Sequence, residues 1–153
     1  MNAHKLFAAL ALLSAPAMAA PAPQPVQTPA EVVRIQLQAL RDNDTPTPDA
    51  GIAIVFAFAS PPNRGETGPL PRFTKMIREG YPDLLRHRES KLFATVTEAD
   101  HVVQPVEIVS RNGETFRYLF ILRQYDLPQG KCWLTDGVIG RPATQDRPAA
   151  KAL

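Results

Sequence analysis

The sequence predicts an α+β fold in which N-terminal helices pack on a curved antiparallel sheet of about four strands. Hydrophobic residues recur with a helical period in the first half of the chain and with a strand period from about Glu89 onward. Runs of helices followed by runs of strands indicate separate layers rather than alternating βαβ units. The helices should therefore cover one face of the sheet and leave a cone-shaped space between the two layers.

The composition is that of one domain with a buried core. The chain has 153 residues, 44% of them hydrophobic, and a formal net charge of +2. A protein that follows phosphates would carry a clustered basic face and a far higher charge, so no nucleic acid is expected as a partner. The single cysteine, Cys132, permits no intrachain disulfide. Neither a metal site nor a cofactor is predicted, since His87 and His101 do not combine with it at any usual zinc spacing.

The N-terminus has the pattern of a secretory signal peptide. Lys5 precedes a short apolar run, and Ala17 and Ala19 frame an A-x-A cleavage site. The apolar run is far shorter than the roughly 20 residues that span a bilayer, so no membrane association is expected after cleavage. We expect an exported protein, periplasmic or secreted. Its parts should be a signal peptide, a proline-rich tether, one domain and a disordered tail: residues 1–19, 20–27, 28–140 and 141–153.

Three helices are predicted before the sheet. Thr28 and Glu31 match a capping box, with Pro29 at the first helical position. The run AGIAIVFAFAS follows a helical period, although its β-branched residues leave a strand as the alternative. The segment SPPNRGETG is predicted as a proline-stiffened loop, after which Pro69 begins the third helix.

Four β-rich segments follow, and Asn112-Gly113 between two of them is a strong hairpin signal. The segments are SKLFATVT, VVQPVEIVS, ETFRYLFILRQY and CWLTDGVIG. The third is apolar on both faces at its centre, so it should lie in the middle of the sheet. An apolar outer face also leaves open a homodimer that pairs through the sheet as a scaffold.

The stretch FAFASPPNRGETGPLPRF carries a family resemblance. With VVRIQLQALRDND, YPDLLRH and WLTDGVI, it resembles the secreted family catalogued as domain of unknown function 4864, over about Pro29 to Ile139. The resemblance implies a cystatin-like fold of the nuclear-transport-factor or SnoaL-like type. That fold hosts ketosteroid isomerases and polyketide cyclases as well as binding modules, so the resemblance implies no particular reaction.

Four candidate ligand-binding residues lie in the stretch FAFASPPNRGETGPLPRF. Arg64, on the predicted loop, suits an anion, although it could instead pair with Glu66 or cap helix carbonyls. Asn63 could bind ligand or satisfy nearby backbone groups, and Thr67 at the start of the third helix could face an anion or simply cap the helix. Arg72 could lie at the rim of the cone or be solvated.

Three further candidates lie outside this stretch. His87 sits between Arg86 and Arg88, whose charges should lower its pKa and favour a neutral imidazole that binds ligand or joins helix to strand. Tyr118 and Trp133 are expected as core or pocket wall. Residues 61–91 contain seven basic and four acidic residues, which favours an anionic ligand.

The leading functional prediction is a domain that binds a small molecule or a protein partner in its cone. No recognisable catalytic set is present in the sequence, so no catalytic residue is assigned. The alternative is an isomerase, cyclase or hydratase that uses Asp136 or His87 with a tyrosine. Strand alternation places Asp136 on one face with Cys132, Leu134 and Val138.

Overall fold

The computed structural model of the chain describes residues 18–142 and confirms the α+β class, with the helices before the sheet. The predicted signal peptide and disordered tail lie outside the described residues, except for two residues of each. The helices are α1 (Pro29–Arg41), α2 (Ala50–Ala57), α3 (Pro61–Thr67) and α4 (Leu70–Gly80), followed by a 3-10 turn at Pro82–Leu84. None of the helices in the described part is long and apolar enough to cross a membrane.

Helix α1 begins at the predicted capping box. The Thr28 hydroxyl accepts a hydrogen bond from the Glu31 backbone N–H at 3.3 Å, and the Glu31 carboxylate accepts one from the Thr28 N–H at 2.7 Å. Two N–H groups that the helix itself leaves unpaired are thereby satisfied. The apolar face of α1 is buried against the rest of the core, as its helical period predicts.

Helix α2 is the buried helix that the AGIAIVFAFAS run predicts, and the strand alternative is wrong. It lies so close to α1 that a Cβ on Gly51 would be 1.9 Å from the backbone oxygen of Ala39. The Gly51 N–H donates to the Asn43 carbonyl at 2.9 Å, which holds the start of α2 against the loop after α1. The glycine is required here because no side chain fits between the two helices.

The segment SPPNRGETG forms helix α3, so its prediction as a loop is wrong. Ser60 caps the helix through its side chain, and Pro61 and Pro62 fill the first positions, where a missing N–H costs nothing. Helix α2 already ends at Ala57, so the two prolines begin a helix and do not end one. Gly65 lies in the interior of α3 with open space around it.

The sheet has five antiparallel strands where about four were predicted. The strands are β1 (Glu89–Leu92), β2 (Val96–Thr97), β3 (Val102–Val109), β4 (Thr115–Leu127) and β5 (Gly130–Pro142). Their order is β1-β3-β4-β5, and β2 also pairs with β3. The extra strand arises because SKLFATVT divides into two short pieces on the same edge of β3. Alternate residues of β3 and β4 are buried beneath the helices.

Strand β5 contains a bulge at Asp136. Gly137 pairs with Ile121 and Thr135 pairs with Leu122, so Asp136 is an extra residue between two adjacent pairs. The bulge interrupts the strand alternation, because an inserted residue changes which face the following residues occupy. The Asp136 carboxylate contacts Arg123 and Tyr125, which pair with Leu134 and Cys132, so Asp136 shares their face as predicted. Val138 pairs with Phe120 on the opposite face, so its place in the predicted group is wrong.

A short parallel bridge joins the helical layer to β5. The Ser60 N–H donates to the Thr135 carbonyl at 2.9 Å, and the Thr135 N–H donates to the Phe58 carbonyl at 2.8 Å. The chain between α2 and α3 thus covers the edge of β5 next to the bulge. The start of α3 is thereby fixed against the sheet.

The segment predicted as a proline-rich tether lies against the turn between β4 and β5. Pro23 is buried, and its carbonyl accepts a hydrogen bond from the Gln129 side chain at 3.0 Å. A Cβ on Gly130 would be 2.8 Å from the ring of Pro25. The ordered structure therefore begins ahead of α1.

Candidate functional site

A cavity of about 200 Å³ lies between the helices and the bulged part of β5. Its walls are mainly apolar and come from α1, α2, α4, the 3-10 turn and the sheet; they include Leu40, Val55, Phe73, Ile77, Leu84 and Phe120. Polar side chains also line it: Gln36, Asn63, Glu66, Thr67, Tyr81, Thr135 and Asp136. The polar groups come mostly from α3 and from the two residues at the bulge.

Gln36 and Thr135 form a buried hydrogen-bonded pair between α1 and β5. Gln36 is fully buried, and its amide nitrogen donates to the Thr135 hydroxyl at 2.8 Å. The side-chain amide of Asn63 donates to the Thr135 carbonyl at 3.0 Å. These bonds satisfy polar groups that would be costly to bury alone, and they fix one side of the cavity.

Asp136 is held by a tyrosine and an arginine on β4. The Tyr125 hydroxyl donates to Oδ1 of Asp136 at 2.6 Å, and Nη1 of Arg123 lies 3.0 Å from Oδ2. The arginine contact is ionic but lacks hydrogen-bond direction, so the buried Oδ2 accepts no hydrogen bond within residues 18–142. The Asp136 side chain is 15% exposed. It is therefore a largely buried carboxylate with one oxygen bonded to a phenol and the other in an ion pair with a guanidinium.

The Tyr125 phenol remains protonated in this arrangement. Burial, and then the hydrogen bond that it donates to Asp136, raise the pKa of Tyr125, while the nearby Ser60 hydroxyl lowers it. A protonated phenol can donate a hydrogen bond to the carboxylate, and it adds no negative charge of its own beside it. Tyr125 therefore orients the carboxylate of Asp136.

Arg123 is shared between two carboxylates. Its Nη2 donates to Asp100 at 3.0 Å, and the ring of His101 lies 2.8 Å from the other oxygen of Asp100. The hydrogen bond with His101 and then the charge of Arg123 lower the pKa of Asp100, which keeps it ionised. One guanidinium thus contacts two carboxylates at once.

Asn63 and Thr67 are the two predicted ligand-binding residues that line the cavity. The Thr67 hydroxyl donates back to the Asn63 carbonyl at 2.7 Å, one turn earlier in α3. The two side chains stand on the same side of the helix because residues four apart are neighbours on its surface. The cavity therefore brings them near Asp136, which the catalytic alternative had named.

Arg64 points away from the cavity. Its guanidinium donates to the carbonyls of Ala57 at 2.6 Å and Ala59 at 3.0 Å, and it lies over the Phe56 ring at 5.2 Å. These carbonyls lie at the C-terminal end of α2, where a cation complements the helix dipole. The guanidinium thus makes the helix-capping contacts that the sequence left open as an alternative.

The other four candidates are spread over the molecule. Arg72 is exposed on α4, and Trp133 is partly buried against the core. Tyr118 is buried on the inner face of β4 and lines two other clefts, beside Ile139. Burial and the neighbouring Asp83 raise the pKa of Tyr118, so it stays protonated.

His87 is 2% exposed, and its Nδ1 lies 2.8 Å from the Leu84 carbonyl oxygen, which can only accept. The tautomer with a proton on Nδ1 makes this bond. Burial, and to a smaller extent the charge of Arg41, lower the pKa of His87. The direction agrees with the prediction, but the cause differs, since Arg86 and Arg88 were expected to act.

Sequence reasoning missed Gln36, Glu66, Thr135 and Tyr125. Gln36 carried a usable signal, because it falls three residues after Val33 and one before Leu37 on the apolar face of α1. A glutamine on the buried face of a helix needs a hydrogen-bond partner inside the core, because an unpaired buried amide is costly. Tyr125 gave no such signal, because its contact with Asp136 depends on the bulge.

No group of three or more His, Cys, Asp or Glu side chains in the described residues could hold a metal ion. The homodimer stays a prediction. The outer face of the sheet carries exposed Phe93, Val96 and Ile139.

The fold and the cavity define a small α+β domain with a helical layer over an antiparallel sheet and a part-polar cavity beside the sheet's edge. The family model described as "Domain of unknown function (DUF4864)" matches residues 24–147, and the chain belongs to that family. Searches of the curated proteins and of the solved structures found no match to this chain. The cystatin-like fold implied by the resemblance stays a prediction.

Proposed function

We propose that the protein is an exported domain that binds a small molecule in the cavity between its helices and β5. The observation that carries the proposal is the cavity itself, about 200 Å³ in volume, with mainly apolar walls and polar groups gathered near Asp136. Ligand sites usually combine apolar walls with a few polar groups that fix orientation. The signal-peptide pattern supports export, and nothing in the proposal requires a cofactor.

The volume limits the size of the ligand. Drug-sized ligands occupy pockets of roughly 300–1,000 Å³, whereas an apolar cavity of about 150 Å³ binds one benzene molecule. A single ring with one polar substituent fits the volume found here. The ring would lie among Phe73, Phe120 and the aliphatic walls, and its substituent would face Asn63 and Asp136.

Filling the cavity should abolish binding of such a ring. Val55 lines the cavity, so Val55→Phe should place its ring there, and the amide signals of Ala59, Thr135 and Val138 should no longer shift when benzyl alcohol is titrated into labelled protein. Two-dimensional NMR measures the shifts. Val103→Phe, on the outer face of β3, is the matched control and should bind as the wild type does. Equal binding by the two variants would refute the proposal.

An acid–base enzyme is the second candidate, and the contact between Tyr125 and Asp136 favours it. A carboxylate that lines a cavity and accepts a 2.6 Å hydrogen bond from a phenol can take a proton from a substrate carbon, with its orientation fixed. Asp136 lies in the bulge and is among the residues that line the cavity, and bulges often occur beside active sites. The chemistry would be that of an isomerase or a related enolising reaction.

Proton exchange at carbon tests this second candidate. The wild-type protein should accelerate deuterium exchange at the α-carbons of cyclohexanone in D₂O, and Asp136→Asn should reduce the acceleration by about 10²-fold or more. Tyr125→Phe should reduce it less, because Tyr125 only positions the carboxylate. Proton NMR follows the exchange. If the wild type and Asp136→Asn exchange at the same rate, the enzymatic reading fails while the binding function stands.

A further inference from the structure

We infer that the cleft between the 3-10 turn and the end of β5 near Gly140 is a second binding site, and that it takes a small uncharged carboxamide. The Tyr118 hydroxyl would donate a hydrogen bond to the carbonyl of the ligand, and the Asp83 carboxylate would accept one from its N–H. This inference does not depend on the function proposed for the cavity.

The cleft lies between the helical layer and the inner face of the sheet and has a volume of about 510 Å³. Its residues from the helical layer include Tyr81 and Asp83, and those from the sheet include Phe116, Tyr118, Val138 and Gly140. Tyr81 and Val138 also line the cavity, and the Tyr81 hydroxyl donates to the Val138 carbonyl at 3.0 Å. The wall that these two residues form thus divides the cleft from the cavity.

The Tyr118 hydroxyl is a hydrogen-bond donor without a partner. The residue is 4% exposed, and its hydroxyl bonds to no group within residues 18–142. In that range Oδ2 of Asp136 is the one fully enclosed side-chain oxygen or nitrogen that lacks a hydrogen bond, so the unbonded Tyr118 hydroxyl reaches accessible surface. The side chain lies on the inner face of β4, where the cleft opens. Buried phenols usually have a partner, so an unbonded one at the wall of a cleft indicates a place for a ligand group.

The glycine at position 140 fixes where this hydroxyl lies. A Cβ there would be 2.1 Å from Cε1 of Tyr118, the ring carbon next to the one that bears the hydroxyl. The phenol end of the ring therefore extends across β5. The ring of Tyr81 packs beside it, with 6.4 Å between the two centroids. The donor is thus held in place before a ligand binds, which lowers the entropy lost on binding.

Asp83 supplies an acceptor at the same cleft. The residue is partly buried and forms no ion pair, and its own backbone is the only hydrogen-bond partner of its carboxylate within residues 18–142. Burial, and then the charge of Glu114, raise the pKa of Asp83. Burial first and the charge of Asp83 second raise the pKa of Tyr118, so the phenol stays protonated and the carboxyl group is near it. The cleft therefore offers one unused donor and one unused acceptor.

These two groups select among ligand classes. A carboxamide carries a carbonyl that accepts and an N–H that donates on neighbouring atoms, so it can use both. A carboxylate ligand would meet the negative charge of Asp83, and an ammonium group has no acceptor for the Tyr118 hydroxyl. The rings of Tyr81 and Phe116 line the cleft and would pack against the apolar part of the ligand.

Three probes of nearly the same shape test the inference: benzamide, acetophenone and benzoate. Their dissociation constants are measured at pH 7 by NMR titration, with the amide signals of Gly80, Phe116 and Gly140 as reporters of the cleft. Benzamide should bind most tightly. Acetophenone, which lacks the N–H, should bind more weakly by about threefold or more. Benzoate should bind more weakly than acetophenone.

Two variants test the residues. Tyr118→Phe should weaken benzamide binding by roughly three- to tenfold, the usual effect of one hydrogen bond, while the unfolding free energy stays unchanged because the hydroxyl has no partner to lose. Asp83→Ala should bring benzamide to the affinity of acetophenone. Asp126→Ala, at an 89% exposed side chain near the end of β4, is the matched control and should keep the preference for benzamide.

The outcomes separate the second site from the cavity. Equal binding of benzamide and benzoate, or an unchanged benzamide affinity in Tyr118→Phe, overturns the inference. In Val55→Phe, which fills the cavity, benzamide should still shift the cleft signals. Loss of those shifts would overturn the second site and leave the cavity function standing. If Tyr118→Phe does not fold, Asp83→Ala decides in its place, and an unchanged preference for benzamide there overturns the inference.

Discussion

Replacement of Gly51 by alanine should destabilise the domain by about 3 kcal/mol or more. The new Cβ would lie 1.9 Å from the carbonyl oxygen of Ala39 and 2.8 Å from the Cα of Asn43. Both neighbours are backbone atoms, so no side-chain rotation relieves the clash, and α1 and α2 must separate. The separation would also break the hydrogen bond between the Gly51 N–H and the Asn43 carbonyl. Denaturant unfolding followed by circular dichroism measures the loss.

Gly65→Ala provides the matched control for this prediction. Gly65 lies inside helix α3, and no atom falls within 4 Å of a Cβ built on it. Alanine is a better helix former than glycine by roughly 0.5–1 kcal/mol, so this variant should be as stable as the wild type or slightly more stable. Similar unfolding midpoints for the two variants would show that α1 and α2 do not approach as closely as the structure has them.

Acidification should destabilise the protein through His87. Burial holds the pKa of this imidazole below its ordinary value of 6.5 in the folded state, so the unfolded chain binds more protons than the folded protein below that pH. The contribution of the neutral imidazole to stability is complete above about pH 6.5 and is lost as the pH falls toward the folded pKa. The loss should reach at most about 1.4 kcal/mol per pH unit.

Two histidine variants isolate this effect. His87→Gln should flatten the acid side of the curve of unfolding free energy against pH. His101→Gln should leave the acid-side loss in place, because His101 is partly exposed beside Asp100. The stability curves are measured from pH 5 to pH 8 by denaturant unfolding. Parallel curves for the wild type and His87→Gln would assign the acid sensitivity to other groups.

The helices and strands were predictable wherever local signals agree. The capping box at Thr28 and Glu31 and the hairpin signal at Asn112-Gly113 depend on residues close together in the sequence. Helix α3 was predicted as a loop because its prolines and glycine are residues that are common in loops. The segment forms a helix because Ser60 caps it and the bridge to Thr135 fixes its start against the sheet. That bridge joins residues far apart in the chain.

The site was also predictable only in part, because several of its contacts join residues far apart in the sequence. Asn63 and Thr67 were named from their local sequence and do line the cavity, whereas Arg64 beside them turns to the end of α2. The pairs Gln36–Thr135 and Tyr125–Asp136 form only when the strand register is set. A register with a bulge cannot be read from alternating hydrophobicity, because that pattern assumes uninterrupted pairing.

The bulge in β5 also bears on how this site could arise and disappear. Asp136 is the one residue between two neighbouring pairs, so its removal would leave Gly137 opposite Ile121 and Thr135 opposite Leu122, as they are now. A single-codon deletion would thus erase the carboxylate of the cavity while the rest of the sheet keeps its register. By the same geometry, a single-codon insertion in an ancestor with regular strands could have introduced it. Within this family, lengths that differ by one residue at this point of the final strand would mark members with and without the acidic group.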